Sequence, residues 1–194
     1  MGQRIVSTTC KNWSDALIII DSFTLFSAAR LSCLPVAYKR AMSMTACPPT
    51  YTASANGGCY RIPAEPAPHW DCSSRCGPGA SLACPADDDT LTAVAADFLS
   101  TRGIKLWIGV YQGLGAAEPL GGWDKCTNGA NLTQSAWLPG EPNHWGIEGE
   151  DCVTLVGSEA RWTDSPCGLN AHCLCALGAA ESPEYAAFAD AQRA

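Results

Sequence analysis

The sequence predicts an α+β domain that is rich in disulfide bonds, and three observations lead to this class. Twelve cysteines occur in 194 residues, which is typical of disulfide-bonded proteins from oxidising compartments. Two stretches have the apolar spacing of helices, and several short runs of β-branched and aromatic residues lie between turn residues. One long glycine-rich segment has no periodicity, which in a compact domain indicates a functional loop.

The composition sets the size of the domain and the class of its partners. A hydrophobic fraction of 47% and a charged fraction of 16% are globular values, and 194 residues make one domain with appendages. A net charge of −7 disfavours a broad phosphate-binding surface, so we expect no nucleic-acid partner. Zinc binding is the alternative role for the cysteines, but they do not form two CxxC pairs and only three histidines are available as further ligands.

Residues 1–46 differ from the rest and are expected to be a leader, either a signal peptide or a disordered segment. Two basic residues precede an apolar run that ends in small residues, but Asp21 interrupts that run. No stretch of about 18 or more apolar residues is present, so we expect no membrane span. Sequons at Asn12 and Asn131 agree with a secreted glycoprotein.

The first part of the domain is expected to contain a disulfide-closed turn, a strand and two helices. Eleven residues rich in Gly, Ser and Asn separate Cys47 from Cys59, where a first strand follows. The first helix spans His69 to Arg75. The second opens at Asp87, in an acidic run that suits a helix N-terminus, and ends at Gly103. Its apolar positions have helical spacing: Leu91, Val94, Ala95, Phe98 and Leu99.

The second part of the domain is expected to contain four strands and the long loop. Leu106–Val110 is a buried strand, and residues 113–140 form the loop, in which three spaced apolar residues indicate an ordered, tethered segment. The tethering residues are Trp123, Leu132 and Trp137. Three further strands are predicted at Cys152–Leu155, Arg161–Thr163 and His172–Leu177. Residues 178–194 are expected to be a tail with a frayed helix, so the domain runs over residues 47–177.

A dense group of oxygen-bearing side chains lies between Trp137 and Cys167. Prolines and glycines occur among them, and the stretch has few hydrophobic residues to bury. Its members are Glu141, Asn143, Glu148, Glu150, Asp151 and Asp164. Calcium takes roughly 6 to 8 oxygen ligands from carboxylates, amides, carbonyls and water. The stretch therefore predicts a calcium site.

The ordered set of motifs resembles the C-type lectin-like domain family over residues 47–177. The matching features are Cys47 with Cys59, Trp107–Val110, Asn128–Gly129, Leu132, Trp137, Glu141–Asn143, Glu150–Cys152, Trp162–Asp164 and Cys167 to Cys175. The resemblance implies a fold in which two helices flank small antiparallel sheets that carry a long calcium-binding loop.

The same resemblance implies three disulfide bonds, namely Cys47–Cys59, Cys76–Cys175 and Cys152–Cys167. Six cysteines are left over: Cys10, Cys33, Cys72, Cys84, Cys126 and Cys173. Cys72 and Cys76 share a helix face, and Cys173 and Cys175 share a strand face. This spacing is consistent with two adjacent staples between one helix and one strand, while a Cys72–Cys84 bond is equally open.

The resemblance also implies a set of calcium ligands, Glu141, Asn143, Glu150 and Asp164, with a cis bond between Glu141 and Pro142. Thr163 stands where the family usually has an asparagine ligand, so Thr163 is a fifth expected metal ligand; its hydroxyl is shorter and a weaker ligand, and we therefore expect weaker calcium binding. A second calcium site is less expected, because His144 and Gln112 stand near positions that are acidic in some relatives.

The order Glu141-Pro-Asn143 resembles sites for mannose, fucose or N-acetylglucosamine, in which Glu141 accepts a hydrogen bond from one sugar hydroxyl and Asn143 donates to the other. Trp145 stands where galactose-type sites place a tryptophan against the sugar, and the alternative is that it packs under the loop. The resemblance thus implies a secreted, calcium-dependent lectin whose partners are glycans or glycoproteins.

Two other functions compete with this one. The first is a lectin-like domain that binds a protein or another surface without calcium, because a fold does not determine a function. The second is an enzyme, which we do not expect: the sequence has no HExxH or nucleophile-elbow motif, and His144 has no orienting partner in a triad. No heptad stalk is visible, so the oligomeric state stays open.

Overall fold

Two small antiparallel sheets carry the fold in a computed structural model, which describes residues 47–53, 58–84, 105–132, 135–147, 149–178 and 180–194. The first sheet has the strand order β1-β2-β9-β3. Its strands are β1 (Thr52–Ala53), β2 (Cys59–Arg61), β3 (Ala80–Leu82) and β9 (Cys175–Leu177). Cys47 and Cys59 close the turn before β2 through a disulfide bond, as expected.

The second sheet has the order β5-β4-β6-β7, and β8 pairs in parallel with β4. Its strands are β4 (Leu106–Tyr111), β5 (Lys125–Cys126), β6 (Cys152–Val156), β7 (Arg161–Ser165) and β8 (His172–Cys173). All six residues of β4 are buried, as their apolar run predicts. The predicted run His172–Leu177 forms two strands rather than one, because β8 pairs with β4 in this sheet while β9, after Leu174, pairs with β2 and β3 in the first sheet. The predicted α+β class is confirmed.

A short helix and a C-terminal helix pack on the sheets. Near the predicted helix His69–Arg75, a 3-10 turn over His69–Asp71 leads into α1 (Cys72–Cys76). The second helix is α2 (Pro183–Arg193), whose start is capped by the Ser182 hydroxyl accepting the N–H of Tyr185. The predicted helix between residues 87 and 103 lies outside the described residues. No helix in the described segments is long and apolar enough to cross a membrane.

Helix α2 corrects the expectation of a frayed tail. Tyr185, Phe188 and Ala189 fall at i, i+3 and i+4 and are buried in the core. The ring of Tyr111 packs against both Tyr185 and Phe188. The segment after residue 177 is therefore a structural part of the compact unit that runs from Cys47 to Ala194.

His69 lies at the junction of α2 and β4. Its Nδ1 is 2.7 Å from the Tyr185 hydroxyl and its Nε2 is 2.9 Å from the carbonyl oxygen of Ile108. Complete burial lowers the pKa of His69 to about 4, partly offset by the bond to Ile108. At neutral pH the ring is thus an uncharged bridge between helix and sheet.

Five disulfide bonds occur among the described residues, and none of the described cysteines is free. They are Cys47–Cys59, Cys72–Cys173, Cys76–Cys175, Cys84–Cys126 and Cys152–Cys167. Three of these pairs are the ones that the resemblance implied, and the double staple between α1 and the β8–β9 segment is present. Cys72 does not pair with Cys84. Cys10 and Cys33 lie outside the described residues.

The long loop is ordered by aromatic packing and by one disulfide bond. Trp123 contacts Trp137 edge-on, and Trp137 contacts Trp162 of β7 in the same way. Together with Leu132, Trp123 and Trp137 pack against the buried core. Cys126 in β5 ties the loop to Cys84. The prediction of a tethered loop is confirmed.

Candidate functional site

The carboxylates predicted to bind calcium come from three separate segments that the β6–β7 hairpin brings together. Antiparallel pairing places Asp164 of β7 opposite Val153 of β6, next to the point where Glu150 enters the strand. The Cys152–Cys167 disulfide closes the same end of the hairpin. Glu141 and Asn143 reach this end from the long loop through the Glu141–Pro142 bond, which is cis as the resemblance implies.

Asp164 is the centre of the hydrogen bonding. Its side chain is almost fully buried. The N–H of Asn143 donates to both of its oxygens, at 3.2 and 3.0 Å, and the N–H of His144 donates to Oδ2 at 2.7 Å. Because two consecutive backbone amides point at one carboxylate, the loop segment carrying Asn143 is held against β7.

Two further contacts complete the group. The Asn143 amide donates from Nδ2 to Glu141 Oε2 at 2.6 Å, and the N–H of Trp145 donates to Glu150 Oε2 at 2.6 Å. The structure therefore brings together all four predicted ligands, Glu141, Asn143, Glu150 and Asp164. Of the two acidic neighbours, Asp151 is held separately by the Gln192 amide, and Glu148 lies outside the described residues.

The electrostatics of this group favour a bound cation. Loss of solvent raises the pKa of Glu141 to about 7, helped by a hydrogen bond and the negative charge of Asp164 and by the charge of Glu150. Loss of solvent also raises the pKa of Glu150, with a smaller contribution from Asp164. Lys105 lowers both values, although it is exposed on the protein surface.

The donor set fits calcium. Three carboxylates and one carboxamide supply the hard oxygen atoms that calcium takes. The three carboxylates repel one another, and a bound divalent ion would relieve this repulsion. Glu141, Asn143, Glu150 and Asp164 would hold the ion, with water or ligand hydroxyls supplying the remaining oxygens.

Thr163 has a different environment from the four. Its hydroxyl lies 3.0 Å from the hydroxyl of Thr154 on β6, and Ser165 completes this buried row of hydroxyls. The described contacts do not bring the Thr163 side chain to the carboxylates, and its role as a metal ligand stays a prediction.

Trp145 does not pack under the loop. Its side chain is 83% exposed, and Ile147 two residues later is fully exposed. Its backbone N–H donates to Glu150 Oε2, so the residue that carries this indole adjoins the ligand group. An exposed aromatic ring beside a polar site is the arrangement that can stack on the apolar face of a sugar.

Two residues near the site carried no signal in the sequence. Lys105 precedes β4, and its ammonium group is 3.5 Å from the hydroxyl of Ser165 on β7. Gln192 lies on α2 and donates to Asp151 Oδ2 at 2.7 Å. Only the tertiary structure brings these residues to the site, so no motif or spacing could have indicated them.

Comparisons with known proteins identify the family and the fold of this domain. Residues 66–177 match the sequence profile of the family described as Lectin C-type domain. The C-type mannose receptor 2 of Mus musculus is 33% identical over 124 residues, which is 61% of this chain and 8% of that receptor. Its Homo sapiens counterpart is 31% identical over the same length and coverage. The chain thus spans about a twelfth of the length of these relatives.

Solved structures share the fold at low identity. The mouse scavenger receptor C-type lectin carbohydrate-recognition domain has a TM-score of 0.57 at 22% identity and covers 71% of this chain and 100% of that one. A calcium-independent type II antifreeze protein has a TM-score of 0.55 at 23% identity and covers 70% and 96%. These similarities establish the fold, and they include a protein described as calcium-independent.

Proposed function

Because the chain belongs to the Lectin C-type domain family, we propose that it is an extracellular module that binds carbohydrate through calcium and favours mannose-type sugars. One observation carries this proposal. Glu141, Asn143, Glu150 and Asp164 converge, and the repulsion among the three carboxylates calls for a divalent cation. Residues 1–46 as a leader, glycosylation at the sequons and secretion belong to the same proposal.

The chain's own hydrogen bonds explain how a sugar would be recognised. Asn143 Nδ2 and Glu141 Oε2 satisfy each other at 2.6 Å. A sugar with two neighbouring hydroxyls would replace that one bond with two, because Asn143 donates to one hydroxyl oxygen and Glu141 accepts from the other hydroxyl. Calcium, held by Glu141, Asn143, Glu150 and Asp164, would supply a positive charge that attracts the hydroxyl oxygens of the sugar. The exposed Trp145 ring supplies an apolar surface for the pyranose.

A second candidate is a lectin-like domain that binds a protein without calcium. It is favoured by the Thr163 hydroxyl, which is committed to Thr154, and by Lys105, whose positive charge already offsets part of the repulsion at Glu141 and Glu150. Under this alternative the carboxylates would be neutralised by protons and by Lys105 rather than by calcium.

Retention on a mannose resin with calcium, and elution by a chelator, tests the proposal. Glu141→Gln removes one ligand charge and should abolish retention. Glu159→Gln is the matched control, because Glu159 is an exposed carboxylate in the turn at the other end of the β6–β7 hairpin. Retention that survives the chelator in the wild-type protein would support the calcium-independent alternative.

A further inference from the structure

Helix α2 is joined by one of its side chains to the segment that carries a predicted calcium ligand. Gln192, half-buried in the last turn of the helix, donates from Nε2 to Asp151 Oδ2 at 2.7 Å. Asp151 follows the predicted ligand Glu150 and directly precedes β6. The end of the helix is therefore bonded to the residue next to Glu150.

The same helix packs against the strand end that fixes the backbone of Asp151. The rings of Tyr185 and Phe188 lie 5.1 and 4.7 Å, between centroids, from the ring of Tyr111 at the end of β4. The next residue, Gln112, donates its backbone N–H to the carbonyl oxygen of Asp151 at 2.8 Å. Asp151 is thus held at its carboxylate by α2 and at its carbonyl by the strand on which α2 packs.

Glu150 extends this set of contacts to the loop that carries the exposed indole. Its Oε2 accepts the backbone N–H of Trp145 at 2.6 Å. A displacement of Glu150 would therefore move a ligand oxygen and the segment of Trp145 together. The contacts form one continuous path that begins at Gln192, passes through Asp151 and Glu150, and ends at the loop.

Helix α2 depends on docking for its structure. It has 11 residues, and isolated helices shorter than about 12–15 residues are marginal in water. Its buried face, with Tyr185 and Phe188, supplies the apolar contacts, and Arg193 at its end donates to the carbonyl oxygen of Trp70 at 3.0 Å. Undocking would therefore unfold this helix, and its amides would then exchange with solvent.

We propose that α2 is a positioning element of the binding site, coupled to it through Gln192. Docking of the helix sets the position of Glu150, and occupancy of the site in turn stabilises the docked helix, because coupled equilibria shift each other by the same factor. Gln192 acts through Asp151 and is not itself a ligand. This inference rests on the proposed function, since the calcium-dependent site is the partner of the helix.

Calorimetric titration of the whole protein with calcium tests the coupling. Gln192→Leu keeps the approximate size and the helix propensity of the side chain but removes the donor. We expect its calcium affinity to fall by roughly 2- to 30-fold, the range expected for residues that link two sites, and its retention on mannose resin to weaken in parallel. Thermal melting shows whether the variant is folded.

Arg193→Ala is the matched control from the same turn of α2. It removes the contacts of Arg193 with Asp71 and Trp70, in the turn that leads into α1. We expect it to bind calcium as the wild type does. Equal losses of affinity in Arg193→Ala and Gln192→Leu would show general loosening of the helix and would overturn the assignment to Gln192.

Amide hydrogen exchange supplies a readout that does not require bound calcium. In the calcium-free protein, Gln192→Leu should speed exchange of the N–H groups of Gln112 and Trp145, which donate to Asp151 and Glu150. Calcium should slow exchange of the α2 amides in the wild type, and should slow it less in Gln192→Leu.

The outcomes separate the two proposals. Calcium binding by the wild type with unchanged affinity in Gln192→Leu, or equal slowing of the α2 amides in both proteins, would overturn the coupling alone. A wild-type protein that binds no calcium would refute the proposed function and, with it, the coupling of α2 to calcium.

Discussion

Asp164 binds the backbone of Asn143 with both of its carboxylate oxygens, at 3.2 and 3.0 Å. The loop that carries the predicted sugar-binding amide is thus fixed by a residue that is itself a predicted calcium ligand. Binding and loop order are therefore expected to change together when this residue is altered.

Asp164→Asn should lower calcium affinity by about tenfold or more and destabilise the domain by about 1–3 kcal/mol, because an amide nitrogen would face N–H donors in a buried position. Calcium titration by calorimetry and denaturant unfolding measure the two effects. Glu159→Gln serves as the control. Unchanged calcium affinity in a folded Asp164→Asn protein would place the ion elsewhere.

Trp145→Ala should weaken sugar binding by about two- to tenfold without changing stability, because an aromatic contact of this kind contributes about 0.5–1.5 kcal/mol and the ring is 83% exposed. Its backbone bond to Glu150 survives the change. Ile147→Ala removes a neighbouring exposed apolar side chain and should leave affinity unchanged. Equal losses in the two variants would show a general apolar surface rather than a stacking position.

Thr163→Asn should tighten calcium binding several-fold and cost about 1 kcal/mol of stability, because it adds an amide ligand but breaks the hydroxyl bond to Thr154. Thr163→Val is the matched variant, since it loses the same bond without adding a ligand. We expect it to leave calcium affinity unchanged. A fall in affinity for Thr163→Val would show that the threonine hydroxyl itself binds the ion.

The adjacent disulfides Cys72–Cys173 and Cys76–Cys175 should show non-additive effects on stability. Each closes a loop of about 100 residues, but the second then closes only a ring of roughly eight residues. Replacing one pair by alanines should cost about 2–3 kcal/mol, whereas replacing both should cost about 7 kcal/mol. Denaturant unfolding measures these values. Additive losses would contradict the loop-entropy account.

His69 should make stability depend on pH. Its pKa is about 4 in the folded protein against an ordinary 6.5, so between these values the unfolded chain holds a proton that the folded chain does not. Stability should fall by about 3 kcal/mol as pH is lowered from 6.5 to 4, and this contribution should level off below pH 4. The difference in unfolding free energy between wild type and His69→Gln, followed with pH, isolates this residue. A constant difference would contradict the prediction.

The local patterns of the sequence were sufficient for most of the strands. The runs beginning at Leu106, Cys152 and Arg161 form strands at or within two residues of the predicted bounds. The alanine-rich composition after residue 177 predicts only a frayed helix, whereas Tyr185 and Phe188, three residues apart, mark a buried face of α2. This face is buried because it packs against the ring of Tyr111, which lies about 75 residues earlier in the sequence.

The candidate site was predictable only where its ligands lie in short motifs. Two such motifs can be read from the sequence: one contains Glu141 and Asn143, and the other contains Glu150. The contact of Gln192 with Asp151 cannot be read in this way, because only the tertiary fold brings the two residues together. The Cys84–Cys126 bond was unpredictable for the same reason, since neither cysteine shares a regular element with another that would constrain its partner.

Gln192 lies in the last turn of helix α2, and its side chain holds the Asp151 carboxylate. The stretch that matches the family ends at residue 177, so a fragment designed from that match would lose this amide together with the Tyr185 partner of His69. Such a fragment would keep the predicted calcium ligands and still lack Tyr185 and Phe188, which are part of its hydrophobic core. The bounds of a family match reflect shared ancestry, whereas the bounds of a folding unit are set by which residues pack together.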